Sequence, residues 1–307
     1  MRNLNKSPIL FLIFNRPDTT QLVFNEIKKY KPTKLYIASD GPRNNKTGES
    51  ELCEKTRNII NQIDWRCEVK KLFRKNNLGC KLAVSSAIDW FFKNEEEGII
   101  IEDDCLPNQS FFKFCEELLE KYRYNNRIGM ISGDNFQKSK KIGNTSYYFS
   151  NHAHIWGWAT WRRVWERYYS DIDNIKDEKI NEIVCKTFSN KIVSEYYSKQ
   201  LLNVKMGLLN TLDYQFSLLL WKENLLSIIP NVNLVKNIGV GPDSTHGNNK
   251  KTPNTFIDTK ELIFPFVHPD EIVQNSLADR KFERNNILKE IIKKKLYDKI
   301  IKLKNII

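Results

Sequence analysis

Residues 98–107 read GIIIEDDCLP, an apolar run that ends in the adjacent acids Glu102, Asp103 and Asp104. Carboxylates at the end of a buried strand are costly unless cations or hydrogen-bond donors meet them. A divalent ion meets them well: Mg²⁺ or Mn²⁺ takes carboxylate oxygens and can hold a diphosphate at the same time. Spacing alone leaves a second reading, an acidic cap before the helical stretch 108–123. Further residues have suitable chemistry. Arg16 follows the first apolar run, Asp40-Gly41 follows the second, and Asp213 opens a later helical stretch. Taken alone, Asp213 reads as a helix-start acid. Asn77 to Lys81 (NLGCK) starts a helix whose N-terminus can hold phosphate. Lys81 reads there either as an aid or as a solvated lysine.

Positioning these residues requires a frame. Pro8–Phe14 (PILFLIF) is a continuous apolar run, as expected of a strand buried on both faces. Asn15-Arg16-Pro17-Asp18 breaks it, and Asp18 or Thr19 is placed to cap a helix through Tyr30. Further strands are expected at 34–39, 68–73, 98–101 and 127–132, with helices at 49–63, 79–92 and 108–123 between them. This alternation predicts an α/β fold with a mostly parallel central sheet flanked by helices. Ligands bind such sheets at the carboxyl ends of the strands, where Arg16, Asp40, Gly41 and Glu102–Asp104 fall. Later, residues 180–202 and 211–221 read as helices, 225–235 as strand, and 239–249 as a glycine-containing loop. No linker divides residues 1–275. Residues 276–307 form a separate tail.

The chain has 307 residues and a net charge of +12. Ten basic and three acidic residues between Arg280 and Ile307 place +7 in the last 28 residues. The rest is only mildly basic, which argues against nucleic acid as the partner of the body. The six cysteines form no C-x-x-C pair, so a zinc ribbon is not expected, and they read as free thiols of a reducing compartment. The N-terminal apolar run is too short for a signal peptide, and no stretch reaches membrane-span length. The expected location is cytoplasmic.

The order of NRPD, SDGP, EDD, IWGWATWRRVW (155–165), LDYQ (212–215) and GVGPDSTHG (239–247) resembles the GT-A-fold nucleotide-sugar glycosyltransferases. The likeness spans roughly residues 7–250. It is strongest to the N-acetylglucosaminyltransferases that start complex N-glycans and to bacterial surface-polysaccharide transferases. The resemblance implies a Rossmann-like GT-A domain, with residues 1–135 as the nucleotide-binding half and 136–275 as the acceptor-binding half. Arg16 would then contact the donor diphosphate, and Asp40 with Gly41 the uracil or ribose. Asp104 would bind Mn²⁺ (or Mg²⁺), while Glu102 and Asp103 contact ribose and donor sugar. Gly157-Trp158 would line the sugar pocket, Asp213 would be the catalytic base, and His246 a late metal or phosphate contact. Donor and acceptor would be a UDP-sugar, such as UDP-N-acetylglucosamine, and a surface or lipid-linked glycan.

Other readings coexist with this one. The tryptophans of 156–165 read as core or as sugar platforms. His152 and His154 form an H-x-H without an obvious third zinc ligand. Leu288, Ile292, Leu296, Ile300, Leu303 and Ile307 recur at helical spacing among lysines. That pattern suits a helix on an anionic membrane surface, on the inner face of the cell membrane, or a helix packed on the body. A sugar-1-phosphate nucleotidyltransferase shares the architecture but usually carries a glycine-rich loop where this chain has Asn15-Arg16-Pro17-Asp18. A non-catalytic basic binding protein leaves the acids unexplained. One base opposite a leaving diphosphate predicts inversion: a β-linked product from an α-linked donor. The anomeric coupling constant of the product checks this, and an α-product overturns the single-displacement scheme.

Overall fold

The structure is a computed structural model that describes residues 6–137, 141–168, 172–239, 254 and 257–293. The chain begins β1 (Ile9–Ile13), α1 (Pro17–Tyr30), β2 (Lys34–Ser39), α2 (Glu49–Asn58), β3 (Glu68–Phe73), α3 (Cys80–Asn94) and β4 (Glu97–Glu102). It continues with β5 (Cys105–Pro107), α4 (Gln109–Tyr122), β6 (Ile128–Ser132), β7 (Tyr147–Ser150), β8 (Trp158–Trp161) and the short α5 (Arg162–Trp165). Then come α6 (Asp177–Thr187), α7 (Lys191–Lys205), α8 (Asp213–Lys222), β9 (Leu226–Pro230), β10 (Val235–Asn237) and α9 (Ser276–Phe282).

Eight strands form one sheet in the order β3-β2-β1-β4-β8-β6-β9-β7. β3, β2, β1 and β4 are mutually parallel, and β9 is parallel to β6. β8 runs antiparallel between β4 and β6, and β7 antiparallel to β9. The sheet is therefore mostly parallel and flanked by helices, as the alternation of apolar runs predicts. Every residue of β1 is buried, in keeping with a strand covered on both faces. Among the described residues, no helix is long and apolar enough to cross a membrane.

Several boundaries differ from expectation for local reasons. Helix α1 starts at Pro17 with Arg16 as its N-cap and no side-chain cap. Proline at the first helical position needs no N–H partner and already has a helical φ. The helix expected at 180–202 is two helices: Asn190 accepts from the amides of Ile192 and Val193 and so starts α7 afresh. The strand expected at 225–235 ends at Pro230, and β10 then pairs antiparallel with β5 in a small second sheet.

Helices α6, α7 and α8 gather a second apolar cluster that includes Val184, Tyr197, Leu201, Trp221 and Ile287. The start of the C-terminal stretch is packed on the body. Asp279, buried in α9, accepts from Ser150 Oγ at 2.5 Å, the Asn151 amide at 3.0 Å and Gln274 Nε2 at 2.7 Å. The following π-helical turn, Glu283–Leu288, buries Glu283 and Ile287. Residues 294–307, with Leu296, Ile300, Leu303 and Ile307, lie outside the described residues.

Removing the Asp279 carboxylate strands buried donors. Asp279→Ala is expected to cost about 2 kcal/mol of unfolding free energy, the usual penalty for orphaned buried donors. Urea denaturation measures this. An unchanged midpoint would show that α9 adds nothing to the stability of the body.

Candidate active site

Strands β2, β1 and β4 are adjacent and parallel, so their carboxyl ends converge. That convergence puts Arg16, Asp40, Glu102 and Asp103 around one cavity of about 460 Å³. Arg43, Arg74, Asn77 and Cys80 add to its polar wall, while Leu12, Phe14, Ala38, Ala83 and Val84 make an apolar one. Leu208, Leu209 and Asn210, from the loop before α8, line it as well.

Arg16 lies between two acids. Its guanidinium donates to Asp104 Oδ2 at 2.6 Å and stands 3.8 Å from Asp103 Oδ1. Burial works against the Arg16 charge, but Asp103 and Asp104 outweigh it and hold its pKa above the ordinary value. The Phe14 amide donates to Asp103 Oδ2 at 2.9 Å. Glu102 titrates well above the usual carboxylate range, through burial and then repulsion from Asp104, Asp213 and Asp103. Asp103 is shifted the same way, mainly by burial and Asp104, against Arg16. Asp213 is exposed at the first turn of α8, and its charge reaches both Glu102 and Cys80. The Cys80 thiol is pushed up to about 12 by burial and by Glu102, Asp213 and Asp104. Residues more than a hundred positions apart thus share one electrostatic site.

Asp40, Gly41 and Asn77 hold the cavity wall together. The Asp40 carboxylate accepts from the amides of Gly41, Leu78 and Gly79 at 3.0 to 3.1 Å. Asn77 Nδ2 donates back to the Gly41 carbonyl at 2.7 Å. At Gly41 a Cβ would stand 2.4 Å from the Asn76 carbonyl carbon, so only glycine permits this crossing. Arg57 donates to the Asp40 and Arg74 carbonyls and ties the same two loops. The Lys81 amide donates to Asn210 Oδ1 at 3.0 Å, and the lysine side chain does not line the cavity.

Gly157 and Trp158 sit apart from this cavity. Gly157 accepts from the Gly133 amide at 2.8 Å. Trp158 is buried in β8 with its ring 4.7 Å from that of Phe216. Trp161 and Trp165 are likewise core, and Trp156 is half-buried. The H-x-H pair is structural: His152 meets Tyr197 and Glu283, and His154 packs against Phe136 and Phe282. Burial pushes the His154 pKa down to about 3. His246 lies outside the described residues.

Sequence reasoning missed other contributors. Arg43 is held over the cavity by Glu49, which also accepts from Asn15. Gly239 brings backbone against the Arg16–Asp104 pair: a Cβ there would fall 2.1 Å from Asp104 Oδ2. The only sequence signal was its place at the head of a glycine-containing loop. Asp134, just beyond β6, is fully buried. Its Oδ2 accepts from the Trp156 amide at 2.9 Å, and its Oδ1 has no hydrogen-bond partner among the described residues.

The acids offer only hard oxygen donors, the set preferred by Mg²⁺ and Mn²⁺. Among the described residues no group of three His, Cys, Asp or Glu side chains is arranged to hold an ion. These ions commonly take one or two carboxylates and complete their shell with substrate phosphates and water. Half-buried Asp104 beside the cavity fits that limited protein share.

Burial raises the Asp134 pKa well above the ordinary value. The folded protein keeps that proton to higher pH than the unfolded chain does. Stability from this group is complete below about pH 4, the unfolded carboxylate range, and is lost as pH rises toward the folded-state pKa. Asparagine lacks the ionisation. The melting temperature of Asp134→Asn relative to wild type is therefore expected to climb between pH 5 and 8, as read by thermal melts in one buffer series. A flat difference would mean that Asp134 is charged and compensated.

No family model matches the chain, and no curated protein does. Solved structures with similarity to it include apo UDP-glucose pyrophosphorylase, at 10% identity and TM-score 0.37 over 75% of this chain and 93% of the other. Mouse xyloside xylosyltransferase 1 in its apo form matches at 10% identity and TM-score 0.35, over 71% and 83%. HddC from Yersinia pseudotuberculosis matches at 9% and 0.32, over 53% and 81%.

Proposed function

We propose that the protein transfers a sugar from a nucleoside-diphosphate donor to an acceptor hydroxyl. The observation that carries this reading is that Arg16, Glu102 and Asp103 line one cavity, with Asp104 paired to Arg16 at 2.6 Å and the charge of Asp213 felt at Glu102. A cavity of about 460 Å³ falls within the usual range for small-molecule sites. Its apolar wall suits a base and ribose, and its guanidinium groups suit phosphates.

Arg16 holds the diphosphate from the end of β1. Asp104 would hold the Mn²⁺ or Mg²⁺ ion. When bound, the ion neutralises charge gathering on the leaving diphosphate. Asp40 and Gly41 shape the wall for the uracil or ribose, and Glu102 and Asp103 meet ribose and donor-sugar hydroxyls. Asp213 takes the proton of the acceptor hydroxyl. With the base opposite the leaving group, the anomeric centre inverts. N-acetylglucosamine is the donor sugar suggested by the family resemblance, and a surface or lipid-linked glycan is the acceptor. The alternative of nucleotidyl transfer is disfavoured at β1, where Asn15-Arg16-Pro17 leads straight into α1 without a glycine-rich loop.

Thermal melts with UDP, GDP and CMP, with and without Mn²⁺, test the donor assignment. UDP with Mn²⁺ is expected to raise the melting temperature by mass action. Asp104→Ala should abolish the Mn²⁺-dependent part. Asp213→Ala should keep the shift and lose transfer by about 10²-fold or more, the usual contribution of a general base. No Mn²⁺-dependent shift with any nucleotide would overturn the reading, and full transfer by Asp213→Ala would overturn the base assignment.

A further inference from the structure

The two segments that line the cavity on this side, around Gly79–Ala83 and Leu208–Asn210, carry exposed apolar side chains that the proposed transfer does not use. Leu78 is 43% exposed and Leu82 is 55% exposed, one turn later in α3. On the segment before α8, Met206 is 64% exposed and Leu208, which lines the cavity, is 69% exposed. The Lys81–Asn210 hydrogen bond joins the two segments, and Leu208 lines the cavity beside Gly79, Cys80 and Ala83. Large apolar side chains grouped in water at a site's entrance mark a contact surface.

The surrounding charge selects the contact. Residues 68–82 carry Lys70, Lys71, Arg74, Lys75 and Lys81 against one acid, Glu68, which lies 3.5 Å from Lys70. They run along β3, an edge strand of the sheet, and then into the loop that bears Leu78. Lys71 and Lys75 are exposed. Exposed leucine and methionine framed by lysine complement an anionic bilayer: headgroups meet the ammonium groups, and the apolar tips enter the headgroup boundary.

We propose that the face made by residues 70–82 and 206–208 seats the protein on an anionic lipid surface, with the cavity mouth turned toward the membrane. Asp213, at the start of α8 just beyond that loop, is then presented to hydroxyls at the membrane surface. This contact is separate from the basic C-terminal stretch, whose first part is packed on the body through Asp279, Glu283 and Ile287. The lipid contact stands without the chemistry assigned to the cavity, and only the presentation of Asp213 rests on that reading.

Flotation of the full chain with vesicles tests the proposal. Vesicles of phosphatidylcholine with phosphatidylglycerol are compared with phosphatidylcholine alone. Wild type is expected to float only with the anionic vesicles. Lys71→Glu/Lys75→Glu and, separately, Leu78→Ser/Leu82→Ser/Met206→Ser are each expected to lower the partition coefficient at least about tenfold. Cooperative melting within a few degrees of wild type shows that each variant is folded, and the two sets fail independently if one does not fold. Wild-type partition by both folded variants overturns the proposal. So does loss of flotation only when Lys293, Lys294 and Lys295 are replaced. Failure of wild type to bind anionic vesicles also overturns it and assigns the apolar rim to another kind of partner.

Discussion

Three carboxylates at the end of β4 cannot all be charged in a half-buried place without a cation close by. Arg16 is the cation the fold supplies: it lies 2.6 Å from Asp104 and 3.8 Å from Asp103. At the triplet itself, Arg16 is set against Glu102, Asp103, Asp104 and the nearby Asp213, while Arg43 and Arg74 stand elsewhere on the cavity wall. Burial first, and that imbalance second, shift Glu102 and Asp103 upward. A site in this condition favours a cationic ligand, or an anion delivered together with a metal. Much of the surrounding structure keeps these like charges from moving apart.

Rigidity at the site comes from backbone more than from side-chain packing. Asp40 spends its oxygens on three amides, and Asn77 returns a hydrogen bond to Gly41, so the loops after β2 and β3 move as one piece. Gly41 and Gly239 permit approaches that any Cβ would block, the second directly over the Arg16–Asp104 pair. The Ile238 amide donates to the Asp104 carbonyl at 2.8 Å, and β10 pairs with β5 just after the acids. Late chain is thereby laid against the early half, and the cavity wall is completed by Leu208, Leu209 and Asn210.

Much of the first half was legible from residue order. The apolar runs within 8–14, 34–39 and 98–101 are strands because each is short and bounded by turn residues, and 68–73, with two lysines, joins them as an edge strand. Their parallel pairing followed from the intervening amphipathic helices. Less legible were β8, which enters the sheet antiparallel between β4 and β6, and the division of 180–202 at Asn190. Trp158 and Trp161 face the core because β8 is central, and no local pattern states which strands will be its neighbours. Asp134 was missed for a similar reason: a lone Asp after Ser-Gly reads as a turn, and only burial makes it unusual.

From residue types and their order alone came the alternating frame and the expectation that Arg16, Asp40 and the Glu102–Asp104 acids fall together at the ends of β1, β2 and β4, where the structure does place them. These are local properties, set by hydrophobic period and by the cost of charge at a strand end. Tertiary structure alone decided that Asp213 reaches the field of Glu102, that Asp40 serves the loops, and that Gly157 and Trp158 stand away from the cavity. It also decided that Leu78 and Leu82 share a rim with Met206 and Leu208. Those outcomes depend on which distant segments meet, and that is settled by packing the whole chain around one sheet.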